Sequence, residues 1–126
     1  MTPRIWHARA NVIPGVPATK RPRISGWAEW HHENAPRITD AQHDQWWERW
    51  PDSSALILPG SIPATVIDVD DASMVERVLE VCGPTEYATI TARGAHLWYA
   101  GANKSRNGVA PGVDVKSTGS YVVAPG

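Results

Sequence analysis

The sequence contains no phenylalanine and only one cysteine, Cys82, among its 126 residues. A single cysteine excludes an internal disulfide and a thiolate zinc cluster, and it is compatible with a reducing cytoplasm. No apolar stretch approaches the roughly 20 residues that cross a bilayer. The N-terminus also lacks the apolar run of a signal peptide, because Arg4, His7 and Arg9 interrupt it. We therefore expect a soluble, cytoplasmic protein with no membrane partner.

Acidic residues are missing from the first 27 residues, although this segment carries five basic ones. A second basic group lies in the later part of the chain around a single acid, Asp114. Acids dominate between residues 40 and 86, and the formal net charge is −1. This separation suits a protein that handles a polyanion in one cleft while staying soluble. Charge that is merely scattered over the surface would give the same totals, so both interpretations stay open.

The length and the hydrophobic share of 42% predict one domain over residues 1–126. Capping-box patterns predict the start of two helices. The first begins at Thr39 and ends before Pro51, and the second runs from residue 71 or 73 to Cys82. The tryptophans of the first helix indicate core packing, and Gly101 to Gly112 reads as a mobile loop. Strands are predicted at 11–13, 55–58, 64–70, 87–91, 96–100, 113–116 and 121–124. We expect an α+β fold, a mostly antiparallel sheet with helices packed on one side.

Asp68 and Asp70 lie two residues apart in a predicted strand, so their side chains point to the same face. Two carboxylates about 7 Å apart repel each other when half-buried, and a hard cation such as Mg²⁺ or Mn²⁺ relieves that repulsion. An exposed acidic strand end that caps the next helix is the alternative, and Asp71 is placed to do this. The spacing favours a divalent-metal site.

Asp114 stands between two valines in a later predicted strand and would supply the third carboxylate of a two-metal centre. His96 follows the turn that contains Arg93 and Gly94, and such a turn can hold phosphate oxygens. The adjacent His31 and His32 fall in a loop and point in different directions, so we interpret them as structural.

Three motifs follow one another in a fixed order: Ile67-Asp68-Val69-Asp70, Gly94-Ala95-His96 and Val113-Asp114. Together they resemble the bifunctional primase/polymerase domain of the archaeo-eukaryotic primase superfamily. That family carries a hydrophobic-Asp-hydrophobic-Asp motif, a small-x-His motif and a hydrophobic-Asp motif in this order. Lys20-Arg21-Pro22 with Gly26-Trp27 is similar to the family's opening, and residues 112–125 are similar to its third-motif hairpin. The resemblance covers about residues 12–125.

The resemblance implies an RRM-like catalytic core and template-directed nucleotidyl transfer from nucleoside triphosphates. Asp68, Asp70 and Asp114 would be catalytic and would hold two Mg²⁺ or Mn²⁺ ions. His96, assisted by Arg93 and Lys116, would bind the nucleotide. The residues implied to contact DNA are Lys20, Arg21 and Arg106.

The implied partners are a DNA template and primer, nucleoside triphosphates and a replicative helicase domain or protein. The implied context is DNA replication of a phage, plasmid or bacterium, and the chain is expected to be truncated at its C-terminus relative to the family. Three other functions remain open. The same residues could serve a metal-dependent nuclease or phosphoesterase, a non-catalytic nucleic-acid-binding remnant of a primase, or a structural interaction domain.

Overall fold

The computed structural model describes residues 10–85 and 87–124. Within these residues the chain forms eight strands, two α-helices and three short 3-10 turns. The strands are β1 (Asn11–Gly15), β2 (Ser54–Leu58), β3 (Ala64–Val69), β4 (Tyr87–Ile90), β5 (Ala95–Ala100), β6 (Arg106–Ala110), β7 (Val113–Lys116) and β8 (Val122–Val123). The helices are α1 (Asp40–Arg49) and α2 (Val75–Cys82), and the turns are Trp27–Trp30, Pro59–Ser61 and Ala72–Met74.

The strands form two sheets in which every strand pair is antiparallel. The smaller sheet has the order β1-β2-β8, and the larger has the order β4-β5-β3-β7-β6. The prediction of an α+β fold with antiparallel sheet structure is confirmed. The division into two sheets was not predicted, because strand patterns show which residues are buried but not which strands pair.

Helix α1 packs on the outer face of the smaller sheet. The Thr39 side chain accepts a hydrogen bond from the Gln42 backbone N–H, which confirms the predicted cap. Trp46 is buried against Leu56 and Leu58 of β2, so the tryptophans of this helix are part of the core. The predicted packing role of these tryptophans is therefore confirmed.

The two sheets pack against each other through their inner faces. Val12, Ile57 and Val122 of the smaller sheet form one apolar cluster with Val66 of β3. Trp98 of β5 packs against the same cluster. This contact covers only part of the inner face of the larger sheet, and the rest borders a cleft.

Helix α2 packs on the outer face of the larger sheet, where Val78 is buried against Ile67, Val69 and Leu97. Cys82 is exposed at the last turn of the helix. The prediction that the helices lie on one side was wrong. Each helix covers the outer face of a different sheet. Neither described helix has the length and apolar character that a membrane-spanning helix needs.

The predicted mobile loop at residues 101–112 contains strand β6. This strand pairs antiparallel with β7 at the edge of the larger sheet, and its register shifts between Arg106 and Ala110. The prediction was wrong because asparagine and glycine are poor strand formers. Here the backbone hydrogen bonds to β7 decide the conformation, and the irregular register is typical of a β-bulge at a sheet edge.

Ser117 is fully buried at the end of β7 and connects three parts of the larger sheet. Its hydroxyl donates to the carbonyl of Ala64 at 2.7 Å and accepts from the backbone N–H of Asn103 at 2.9 Å. The backbone N–H of Ser117 donates to Ser105 Oγ at 2.9 Å. These bonds tie the segment before β6 to the start of β3 and thereby hold β7 in register.

Candidate active site

The register of the larger sheet places four polar side chains in one row across its inner face. Asp68 in the central strand β3 lies directly opposite His96 of β5 on one side and Asp114 of β7 on the other. Thr89 of β4 continues the row beyond His96. Directly opposed residues of antiparallel strands share a face and have Cα atoms about 4.5–5.5 Å apart. Two of the three predicted carboxylates are therefore direct neighbours.

Asp68 is held by His96. Asp68 Oδ1 lies 3.3 Å from His96 Nε2, and both side chains are largely shielded from solvent. The hydrogen bond from His96 is the main reason that the pKa of Asp68 lies below its ordinary value of 3.8. Burial acts in the opposite direction, while the charges of Lys20 and Lys116 lower the pKa further. Asp68 is therefore an ionised carboxylate at neutral pH.

Asp70 lies immediately after β3 and is fixed by two contacts. Its backbone N–H donates to the carbonyl of Gly112 at 2.7 Å, which ties the end of β3 to the turn before β7. Its Oδ2 atom lies 3.4 Å from a guanidinium nitrogen of Arg93. Arg93 is mostly exposed, so this ion pair is weak and can exchange for contacts with a ligand.

The turn before His96 depends on Gly94. The backbone N–H of Thr91 donates to the Gly94 carbonyl at 3.1 Å, and the Gly94 N–H donates back to Thr91 Oγ1 at the same distance. A Cβ atom on Gly94 would lie 1.9 Å from the carbonyl oxygen of Val69. Only glycine permits this approach of the turn to the end of β3. The approach places Arg93 beside Asp70.

Asp114 is held by the edge hairpin. The backbone N–H of Gly108 in β6 donates to Asp114 Oδ1 at 2.6 Å. Lys116 Nζ lies 3.8 Å from Asp114 Oδ2 and donates to Asn107 Oδ1 at 2.9 Å. Sequence reasoning missed the role of β6 because these residues appeared to belong to a mobile loop.

The opposite wall of the cleft is formed by Lys20, Trp27 and Tyr121. The Tyr121 hydroxyl donates a hydrogen bond to the backbone carbonyl of Lys20. The Trp27 and Tyr121 rings meet edge to face with centroids 5.5 Å apart. Trp27 and Tyr121 lie in the two outer segments that resemble the family, but the resemblance assigned no role to either residue.

These walls enclose a cleft of about 600 Å³. Seven of the nine predicted site residues line it: Lys20, Asp68, Asp70, Arg93, His96, Asp114 and Lys116. Arg106 lies elsewhere, at the start of β6 beside a groove along α2. Arg21 is exposed next to Lys20 and is not among the residues that line the cleft in the described part of the chain. Both arginines remain predictions as DNA contacts.

The chemistry of the three carboxylates suits a hard divalent cation. Asp68 and Asp114 are negative side chains placed directly opposite each other, and such pairs are destabilising unless a cation lies nearby. Among residues 10–85 and 87–124, no group of three or more histidine, cysteine or acidic side chains is already arranged to hold a metal ion. His96, Lys116 and Arg93 contact the carboxylates instead.

A family model described as bifunctional DNA primase/polymerase, N-terminal, matches residues 4–126 of the chain. The chain belongs to this family. The resemblance carried by the three short motifs is therefore confirmed, and the Prim-Pol match includes every residue that lines the cleft. No curated protein matches the sequence.

In this Prim-Pol domain, the three motifs meet because of the order and register of the strands that carry them. The first motif supplies the central strand β3, and the second and third motifs supply the two strands that flank it. Residues that are 28 and 46 positions from Asp68 in the sequence thus become its direct neighbours. DNA and nucleotides are the substrates that Prim-Pol membership implies.

Proposed function

We propose that the chain is a DNA primase/polymerase domain that carries out metal-dependent, template-directed nucleotidyl transfer from nucleoside triphosphates. The row of His96, Asp68 and Asp114 across three strands of the Prim-Pol sheet carries this proposal. The cleft joins these carboxylates, which suit a hard cation, to a histidine and two lysines, which suit phosphate oxygens.

The charges in the cleft match a triphosphate bound together with divalent ions. Three carboxylates and three cationic side chains line the cleft, so their formal charges cancel when His96 is neutral. Two divalent cations would leave an excess of about four positive charges, which is close to the charge of a nucleoside triphosphate. The cleft alone therefore has little attraction for the nucleotide, and we expect binding to depend on metal.

The proposed roles follow from the contacts. Asp68, Asp70 and Asp114 would hold two Mg²⁺ or Mn²⁺ ions, which supply activation of the primer 3′-hydroxyl and stabilisation of the leaving pyrophosphate. Once Asp68 is engaged in this way, His96 Nε2 is released to donate to a phosphate oxygen.

Lys116 lines the same cleft and adds a positive charge beside the triphosphate. Most of the Arg93 side chain is exposed, so it can contact the nucleotide as that ligand enters the cleft. The same proposal places the domain in DNA replication of a phage, plasmid or bacterium, with a helicase domain or protein as its partner.

The experiment is incubation of the protein with a primed DNA template, deoxynucleoside triphosphates and Mn²⁺ or Mg²⁺. We expect primer extension that is lost in the Asp68→Ala/Asp70→Ala double variant and retained in Asp44→Ala, whose carboxylate lies on α1. Extension that survives the double variant would contradict the proposal.

Two other outcomes identify the alternative functions. Shortening of the DNA in place of extension indicates a nuclease that uses the same carboxylates with water as the nucleophile. DNA binding that is unaffected by EDTA, without incorporation with either metal, indicates a non-catalytic remnant of a primase.

A further inference from the structure

The segment between β1 and Pro22 is an ordered loop that carries Lys20 at the cleft. We refer to residues 16–21 as the Lys20 loop. Gly15 and Pro22 form an antiparallel bridge that closes its base, and the backbone N–H of Val16 donates to the Arg21 carbonyl at 2.9 Å. The Thr19 hydroxyl donates to the Val16 carbonyl at 2.7 Å. These local bonds give the loop its shape but do not attach it to the cleft.

Tyr121 attaches the loop to the larger body of the protein. Its hydroxyl donates to the backbone carbonyl of Lys20, 101 positions away in the sequence. Tyr121 directly precedes β8, whose Val122 is buried in the cluster between the two sheets. The Tyr121 ring is supported from the side by Trp27. The Tyr121 side chain is therefore held in place by the core, and its hydroxyl fixes the position of the Lys20 loop.

This contact acts on the backbone of Lys20 and leaves its ammonium group available to the cleft. Lys20 lines the cleft together with Asp68 and Lys116. A lysine side chain loses considerable rotamer entropy when it binds a ligand, and a loop that also had to become ordered would add to that loss. Attachment of the backbone removes the second part of the cost.

We infer that Tyr121 is a positioning residue for nucleotide binding, because its hydroxyl fixes the Lys20 loop so that Lys20 presents its ammonium group to the triphosphate. This inference rests on the proposed function. It also moves Lys20 from the expected contact with DNA to the nucleotide, since Lys20 lies on the wall that faces Asp68 and Asp114.

The test measures binding of a non-hydrolysable deoxynucleoside triphosphate in Mn²⁺ by calorimetry, without turnover. We expect Tyr121→Phe to weaken binding roughly three- to tenfold, the usual effect of losing one hydrogen bond. Lys20→Met should weaken binding about tenfold. The Tyr121→Phe/Lys20→Met double variant should bind no more weakly than Lys20→Met alone, because Tyr121 acts through Lys20.

Tyr99→Phe is the matched control. It also removes one hydroxyl that donates to a backbone carbonyl, that of Gly83 at 2.8 Å, but at the end of α2. Its nucleotide affinity should equal that of the wild type. Hydrogen exchange provides a second measurement, in which Tyr121→Phe should speed exchange in residues 16–21 and Tyr99→Phe should not.

Two results would overturn the inference while leaving the proposed function intact. One is wild-type affinity in Tyr121→Phe, and the other is an equal further loss when Tyr121→Phe is added to Lys20→Met. A wild-type protein that binds no nucleotide with Mn²⁺ would overturn both the inference and the proposed function, so the two failures are distinguishable.

Discussion

Asp68 and Asp114 face each other directly across the neighbouring strands β3 and β7 of the larger sheet. Each carboxylate contacts a different side chain, His96 for Asp68 and Lys116 for Asp114. Two like charges in this position repel each other, so the pair is stable only with nearby cations.

Asp114→Asn should remove the response to metal without destabilising the fold by much. In EDTA, relief of the repulsion with Asp68 offsets the weaker attraction to Lys116, so stability should change by less than about 1 kcal/mol. In Mn²⁺ at about 100 times its dissociation constant, the wild type should gain about 2.7 kcal/mol, and the variant should gain much less. Thermal unfolding in EDTA and in MnCl₂ measures both effects. An unchanged gain in the variant would show that Asp114 is not a ligand.

His96→Ala should raise the pKa of Asp68, because the hydrogen bond from His96 is the largest cause of its lowering and burial acts against it. A lowered pKa in the folded state means that the ionised carboxylate stabilises the fold above its ordinary value of 3.8. This contribution disappears as the pH falls through the folded-state pKa. Because the folded-state pKa of Asp68 then lies closer to 3.8, the variant should lose less stability than the wild type as the pH falls below 3.8.

Titration of the Asp68 carboxyl carbon by NMR in EDTA measures this pKa directly. His32→Ala, which changes a histidine of the loop after the Trp27–Trp30 turn, serves as the control and should leave the titration unchanged. An Asp68 pKa that does not move in His96→Ala would contradict the prediction.

Gly94→Ala should destabilise the protein by about 2–3 kcal/mol, because the added methyl group would collide with the Val69 carbonyl and force the turn away from β3. Arg93 should then lose its contact with Asp70. Gly101→Ala is a useful comparison, since its Cβ would meet open space but its backbone has φ +97°. That variant should lose only about 1 kcal/mol. Urea unfolding measures both, and equal losses would argue against the close approach at Gly94.

Ser117→Ala should cost about 2 kcal/mol, because it leaves the Ala64 carbonyl and the Asn103 N–H without their buried partner. Ser25→Ala, at an exposed position, should change stability by less than about 0.5 kcal/mol. Hydrogen exchange adds a local measurement, since loss of the Ser117 hydroxyl should expose the Asn103 amide first. A loss as small as that of Ser25→Ala would show that water replaces the hydroxyl.

The sequence alone determined the local features of the site. Alternation along a strand gave Asp68 and Asp70 a common direction, and the Thr39 cap with the tryptophans after it gave α1 and its buried face. These inferences succeed because strand alternation, capping and helical spacing depend on residues only two to four positions apart. The order of the three motifs added the Prim-Pol family, although no local rule states that the motifs meet in space.

Only the tertiary structure decided which distant residues become neighbours. Asp114 and His96 flank Asp68 because of the order and register of the strands, which arise from backbone hydrogen bonds over the whole larger sheet. The same holds for β6, whose weak strand formers are ordered by pairing with β7, and for Tyr121, which reaches the Lys20 carbonyl across 101 residues. Such contacts depend on how the two sheets pack together, and a pattern read along one strand carries no information about that packing.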